Sequence, residues 1–133
     1  MSTLINELKK DHERIYTEIS DAKKLGISTE AGKKLLLSIK TDLINHLKKE
    51  DELLYPKLKE LAQSDEGIKK TLDTFAKDME GITTSAMEFF DKYTHQSSDI
   101  EFFKDIGRFL AALTDRIRKE ENTLYRIYDE ATV

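Results

Sequence analysis

The chain has 133 residues, of which 36% are charged and 38% are hydrophobic, with five glycines and one proline. This composition excludes a disordered chain and argues against a β-sandwich, whereas it is typical of helices that expose one polar face. The net charge is −4 with both signs interspersed, so neither a nucleic acid nor an anionic membrane is indicated as a partner.

The chain contains no cysteine, which excludes disulfides, thiolate metal sites, iron–sulfur clusters and thiol catalysis. It also lacks an apolar run of about 18 residues, and its first residues lead directly into a charged helix. We therefore expect residues 1–133 to form one domain of a cytoplasmic protein that does not span a membrane.

Four long amphipathic patterns follow one another along the chain. The first ends near Gly26, and Ser28 is the predicted N-cap of the second. Pro56 removes a backbone donor, so we expect a kink or a break in the second pattern at that position. The apolar stripes are Leu4, Leu8, Ile15, Ile19 and Ala22; then Leu36, Ile39, Leu43, His46, Glu50, Leu53, Leu54, Leu58 and Leu61; then Ile68, Leu72, Phe75, Met79, Ile82, Ala86, Phe89 and Tyr93; then Ile106, Phe109, Leu113, Arg116, Ile117, Glu120, Leu124 and Ile127.

Short connections separate the later patterns. The third opens at Ser64-Asp65-Glu66, Thr94–Ser97 is predicted to be a turn, and Ser98–Glu101 has the sequence of a capping box that starts the fourth. Long helices joined by short connections are antiparallel neighbours. The sequence therefore predicts an all-α, up-down-up-down four-helix bundle.

Three polar residues interrupt the apolar stripes in the first half of the chain: His12, His46 and Glu50. His46 and Glu50 stand four residues apart, so they project from one face of a helix and can bind a single ion. A polar side chain on a buried stripe costs free energy unless something pairs with it, and a metal ion is one such partner. A core histidine that is satisfied by hydrogen bonds is the simpler alternative for His12.

The two halves of the chain are similar. Lys10–Ile15 aligns with Lys77–Ile82, and His46–Tyr55 aligns with Arg116–Tyr125. This similarity predicts a duplicated helical hairpin. The duplication would bring the corresponding residues to one level of the bundle, with His12, His46 and Glu50 facing Met79, Arg116 and Glu120.

Three segments carry a resemblance to the hemerythrin-like (HHE cation-binding) family: Asp11-His12-Glu13, His46–Pro56 and Arg118–Tyr125. The resemblance covers nearly the whole chain. It implies a four-helix bundle that holds a non-haem di-iron centre through histidines and bridging carboxylates and that binds oxygen, or senses oxygen and iron.

Carried over by that resemblance, His12 and His46 match the two histidines of one iron, Glu50 matches one bridging carboxylate and Glu120 the other. Glu121 matches an alternative spacing found in part of the family.

The chain departs from the family where a second iron would need histidines, because it has Phe75, Met79 and Arg116 there. Thioether sulfur is a weak iron ligand, and a guanidinium is cationic and has no lone pair to give. We therefore expect one divalent metal ion, iron before others, and not a full di-iron centre. Its expected ligands are His12, His46, Glu50 and Glu120, and dioxygen is a candidate partner of that ion.

A second interpretation needs no metal. In it, Arg116 supplies the positive charge and forms a fork with Glu50 and Glu120, while the histidines hydrogen-bond within that network. The bundle would then be an interaction or scaffold module that could self-associate through apolar positions outside the stripes. Such positions are Leu37, Phe90 and Phe103, which could equally widen the core.

The sequence predicts a binding protein and not an enzyme, because it has no phosphate-binding loop, nucleophile elbow or grouping of Ser, His and Asp. Tyr55 and Tyr125 are predicted to be core aromatics whose hydroxyls reach a polar partner. His95 is predicted to be exposed and without a role.

Overall fold

The computed structural model describes residues 2–95 and 98–131. Its helices are α1 (Thr3–Leu25), α2 (Glu30–Lys49), α3 (Tyr55–Ala62), α4 (Glu66–His95), α5 (Asp99–Asn122) and α6 (Leu124–Ala131), and a π-helical turn at Glu50–Leu54 joins α2 to α3. These helices make four arms, which are α1, then α2 with the π turn and α3, then α4, then α5 with α6.

The four arms close into a ring. The first arm packs against the second and the fourth, and the third packs against the second and the fourth. Because the connections are short, neighbouring arms are antiparallel, and the all-α hemerythrin-like bundle expected from the sequence is confirmed. None of the described helices is long and apolar enough to cross a membrane.

The connection between α1 and α2 differs by one residue from the prediction. Thr29, not Ser28, caps α2 by accepting a hydrogen bond from the backbone N–H of Gly32 at 3.1 Å. Ser28 instead binds the start of α5, because its Oγ donates to Asp99 Oδ2 at 2.8 Å. The hydroxyl predicted to cap the helix therefore ties this loop to the fourth arm.

The predicted turn at Thr94–Ser97 begins too early. Helix α4 continues through His95, and the Thr94 hydroxyl donates to the Phe90 carbonyl one turn back. Residues 96 and 97 of that predicted turn lie outside the described residues. The predicted cap at Ser98 is confirmed, since its Oγ accepts from the Glu101 N–H at 3.5 Å.

Two apolar clusters fill the bundle. One contains Ile15, Ile19, Ala22, Ile27, Leu36, Ile39, Leu43, Ala86, Phe89, Phe90, Tyr93, Phe102, Ile106 and Leu113, and the other contains Ile5, Leu8, Leu54, Leu58, Leu72, Phe75, Leu124 and Tyr125. On every arm the two sets are separated along the chain by a short gap. The buried polar residues of the first, second and fourth arms fall in that gap, so a polar layer crosses the bundle between two apolar halves.

Some stripe assignments change with the real helix geometry. Leu53 was predicted to be core but is 53% exposed, because the π turn shifts the register and brings Leu54 inward instead. Phe90, an apolar position outside the predicted stripe, is buried and widens the core, whereas Leu37 and Phe103 are exposed.

Candidate metal centre

The polar layer contains the residues that the sequence singled out. His12, His46, Glu50, Arg116 and Glu120 are each at most 5% exposed, and Asp11 is buried with them. A charged or polar group at this depth is stable only when it is paired or bound to an ion. The contacts of each group therefore decide what the layer can hold.

His12 on α1 and His46 on α2 face each other across the layer. Their Nε2 atoms lie 3.0 Å apart, and the ring centroids are 4.6 Å apart. His12 was predicted either as a ligand or as a satisfied core histidine. Its Nε2 faces the Nε2 of His46 instead of apolar atoms, so apolar packing alone does not explain its position.

Each histidine is bound by a carboxylate at its other nitrogen. His12 Nδ1 lies 2.9 Å from Glu121 Oε2, and His46 Nδ1 lies 3.1 Å from Asp11 Oδ2, which also accepts from Lys49 Nζ at 2.9 Å. Because an ionised carboxylate can only accept, each Nδ1 carries the hydrogen, and in the neutral ring each Nε2 presents a lone pair. Carboxylate–histidine pairs of this kind orient imidazoles toward metal ions.

The electrostatics of His12 agree with a neutral ring. The pKa of His12 is lowered, first by burial and then by the neighbouring His46, while Glu121 and Glu50 act in the opposite direction. The neutral ring is therefore favoured, and its Nε2 is available as a donor to a cation.

Glu50 supplies an oxygen to the same point. Its Oε2 lies 3.6 Å from His46 Nε2, and Glu50 is fully buried as the first residue of the π turn. Its other oxygen, Oε1, has no hydrogen-bond partner within residues 2–95 and 98–131. One ligand atom each from His12, His46 and Glu50 lie within 4.8 Å of one another, close enough to share an ion.

The donor set fits a divalent transition metal. Two ligands about 2.1 Å from a common ion and about a right angle apart are separated by about 3.0 Å, as the two Nε2 atoms are. Two imidazoles and a carboxylate suit iron, zinc or manganese. An orphaned carboxylate oxygen and two facing lone pairs are the features that an ion would satisfy.

Glu120 adjoins Glu50 but contributes no atom to that group. It is buried, and its Oε1 is 3.7 Å from Arg116 Nε, but the atoms within 4.8 Å of one another are those of His12, His46 and Glu50 alone in the described part of the chain. The pKa of Glu120 is raised well above its usual range, by burial first and by the Glu50 carboxylate next. Its role as a ligand stays a prediction.

Arg116 does not make the predicted fork. One of its Nη atoms donates to the Phe75 carbonyl at 3.2 Å, and its guanidinium lies 4.5 Å from the Phe75 ring. Its Nε and Nη1 have no hydrogen-bond partner among the described residues, so it forms no pair of parallel hydrogen bonds with Glu50 and Glu120. The reason is geometric, since 3.7 Å to Glu120 exceeds hydrogen-bonding range.

The two predicted core tyrosines behave differently. The Tyr125 hydroxyl donates to Glu50 Oε2 at 2.7 Å and lies 3.2 Å from His12 Nε2, so the predicted polar partner is confirmed. The Tyr55 hydroxyl is buried beside Arg116 and Glu50, so it also reaches polar groups, although no well-aligned hydrogen bond to a described residue holds it. Burial and the Glu50 carboxylate raise the pKa of both.

A cavity of about 20 Å³ adjoins the two histidines. Met79, Arg116 and Glu120 line it together with His12 and His46, which is the common level that the duplicated hairpin predicts. A space of this size holds roughly one water-sized species. It therefore leaves room for only one small species between these side chains.

A larger groove of about 940 Å³ runs between α4 and α5. Ile82, Leu113 and Arg116 line both the groove and the small cavity, so these three side chains separate the histidines from solvent on that side.

Two breaks in helix geometry lie beside the layer. The π turn starts at Glu50, where the N–H of Tyr55 bonds to the Glu50 carbonyl, and α5 ends at Thr123 with non-helical angles of φ −123° and ψ −75°. These breaks occupy corresponding places in the two hairpins. Single π turns inside α-helices are frequent at functional sites.

Asp11 and Glu121 orient the histidine rings, a role that was not predicted from the sequence. Asp11 belongs to the first motif and Glu121 was weighed as a bridging ligand, yet both bind histidine Nδ1 atoms. The signal available in the sequence was position, since Asp11 adjoins His12 and Glu121 adjoins Glu120. Which histidine each acid binds depends on contacts between distant segments.

The family model of the hemerythrin HHE cation binding domain matches residues 3–128. The chain therefore belongs to the hemerythrin HHE cation-binding family, as its motifs indicated. No curated protein and no solved structure matches the chain.

Proposed function

We propose that this protein binds one non-haem metal ion, iron before others, through His12, His46 and Glu50, and that this ion serves in binding or sensing dioxygen or metal. The observation that supports it most strongly is the pair of Nε2 atoms 3.0 Å apart, each on a ring whose Nδ1 is held by a carboxylate. Two lone pairs facing each other repel unless a cation lies between them.

The metal-free interpretation has less support. It needs Arg116 to neutralise both carboxylates, yet two of the guanidinium nitrogens lack hydrogen-bond partners among the described residues. Glu50 Oε1 also lacks a donor unless the neighbouring Glu120 is protonated. A buried layer with orphaned donors and acceptors is costly, so an ion explains these contacts more economically.

The residues of the polar layer have different roles in this proposal. Asp11 and Glu121 hold the histidine rings in orientation, Glu50 contributes a negative oxygen, and the apolar clusters exclude water. A bound ion would supply a Lewis-acidic, redox-active centre. A cavity for one small species suits the binding of a diatomic molecule better than catalysis on a substrate, so we propose a binding protein and not an enzyme.

Elemental analysis of protein purified without chelator tests the proposal. We expect about one iron per chain in the wild type and in His95→Ala, and none above background in His46→Ala. His95 is the matched control because it is exposed and its ring bonds to the Asp91 carbonyl one turn back in its own helix. If the wild type binds no transition metal after incubation with ferrous iron, the metal-binding role is wrong and a scaffold role becomes the better explanation.

Absorption spectra of the iron-loaded protein address dioxygen. Iron-loaded protein kept without oxygen should change its spectrum on exposure to air, and His46→Ala treated in the same way should not. An iron-loaded wild type whose spectrum is unchanged in air would remove dioxygen from the proposal and leave metal sensing.

A further inference from the structure

The hydroxyl oxygen of Tyr125 lies in the same ring of donor atoms as the histidines and Glu50. It is 2.7 Å from Glu50 Oε2 and 3.2 Å from His12 Nε2. Two further distances close the ring: His12 Nε2 is 3.0 Å from His46 Nε2, and His46 Nε2 is 3.6 Å from Glu50 Oε2. Neighbouring ligands of one ion, each about 2.1 Å away, are separated by about 3 Å, so all four edges are compatible with a single centre.

We propose that Tyr125 is a fourth ligand, which binds a ferric ion through its phenolate oxygen beside His12, His46 and Glu50. This inference rests on the proposed function, because it presumes that an ion occupies the centre. Phenolate is an established protein ligand of iron, and an anionic oxygen suits a hard cation.

A hydrogen-bond count supports ligation. The phenol has one hydrogen, and Glu50 Oε2 accepts it at 2.7 Å. The remaining lone pairs of the oxygen then face His12 Nε2, which carries a lone pair of its own because its Nδ1–H is given to Glu121. Two acceptors 3.2 Å apart stabilise each other only through a cation.

The oxygen is also held in place. Tyr125 is fully buried, and its ring is stacked on His12 with centroids 5.5 Å apart and planes 10° from parallel. The break at Thr123 precedes α6 and so sets the rotation of that helix, in which Leu124 and Tyr125 are both buried.

The coordination step is balanced without an external reductant or oxidant. The O–H bond of Tyr125 breaks and one oxygen–metal bond forms, while the proton is released to solvent. The iron stays ferric throughout. The added negative charge stabilises the ferric state relative to the ferrous state, so loss of the phenolate should raise the reduction potential.

Spectra of the ferric protein test the assignment. Wild type, Tyr125→Phe and Tyr55→Phe are loaded with ferric iron, and the iron content of each sample is measured beside its visible spectrum. Tyr55 is the matched control because it is a tyrosine beside Glu50 and Arg116 whose hydroxyl makes no well-aligned hydrogen bond to a described residue. We expect the visible charge-transfer band of a ferric phenolate in the wild type and in Tyr55→Phe, and its loss in Tyr125→Phe.

The readouts separate this inference from the function on which it rests. A wild type that holds iron without a phenolate band, or with no tyrosinate vibrations in its resonance Raman spectrum, overturns the role of Tyr125 while metal binding stands. Loss of the band in Tyr55→Phe instead of Tyr125→Phe also overturns it. A wild type that holds no iron overturns both proposals. The wild-type spectrum decides even if Tyr125→Phe does not fold.

Discussion

His12 Nε2 and His46 Nε2 face each other at 3.0 Å, although each ring already gives its Nδ1–H to a carboxylate. Neither nitrogen can donate to the other while both rings are neutral, so the contact is repulsive in the absence of a shared cation. A metal ion or a proton between the two nitrogens makes the contact attractive, so the bundle holds two nitrogen atoms where a cation is favoured.

Metal binding should raise the thermal stability of the protein. At a free-ion concentration of about 100 times the dissociation constant, a ligand that binds only the folded state stabilises it by about 2.7 kcal/mol. We expect the melting temperature to rise with added ferrous iron under nitrogen and to fall with a chelator. His46→Ala should respond to neither, and an equal response in that variant would place the ion elsewhere.

Removal of the Asp11 carboxylate should weaken metal binding without removing a ligand. Asp11 orients His46 through Nδ1, and loss of such a partner typically lowers metal affinity by about 10- to 100-fold. Equilibrium dialysis with Asp11→Ala measures the change, and Asp51→Ala is the control because Asp51 is an exposed acid next to Glu50. Unchanged affinity in a folded Asp11→Ala would mean that the His46 ring is fixed by packing alone.

A second metal position should be recoverable. Met79 and Arg116 line the cavity opposite His12 and His46, where the family has histidines. We expect the double variant Met79→His with Arg116→His to bind a second iron per chain, measured by elemental analysis, with Met87→His in place of Met79→His as the control. If the folded variant takes up no additional iron, the correspondence drawn between the two hairpins is wrong.

The stability should depend on pH through Glu18. Burial first, and then Asp42, raise the pKa of Glu18 to about 7 from an ordinary value of 4.5. The folded state thus binds the proton more tightly than the unfolded state, so this stabilising contribution is complete below about pH 4.5 and is lost as the pH rises toward 7.

Melting temperatures measured across that range should therefore fall less in Glu18→Gln than in the wild type. Asp42→Asn should flatten the curve too, because it removes the second cause. Identical slopes in all three proteins would contradict the assignment.

Apolar residues on the second arm should differ sharply in their contribution to stability. Leu58 is fully buried, and Leu58→Ala should lower the free energy of unfolding by about 2–5 kcal/mol. Leu37 is 56% exposed, so Leu37→Ala should change it by less than about 0.5 kcal/mol. Chemical denaturation measures both, and a large effect at Leu37 would reveal a contact between copies of the chain.

The fold followed from the sequence because each arm repeats its apolar residues at helical spacing over several turns. That period determined the number and order of the arms and most of the core. The exact end of α4 at His95 and the cap at Thr29 did not follow, because neighbouring polar residues compete for the same cap and tertiary contacts decide between them. The exposure of Leu53 was missed because periodicity assumes an unbroken α-helix.

The centre was predictable only in part. His46 and Glu50 share one helix, so their spacing alone placed them together, and the family motif brought in His12. Tyr125 was expected to reach a polar group, but the identity of that group depends on the break at Thr123. The orientation of Arg116 toward the Phe75 carbonyl is a contact between the third and fourth arms, which no local pattern encodes.

The π turn at Glu50–Leu54 gives the second arm one residue more than an uninterrupted spiral would need there. The π turn therefore sets the rotation of α3 about the helix axis relative to α2. If the same residues were wound as ordinary α-helix, everything beyond them would rotate by roughly a quarter turn and Leu58 would swing toward water. The π turn thus lets the second arm pack into both apolar clusters, and it places Glu50, its first residue, in the polar layer between them.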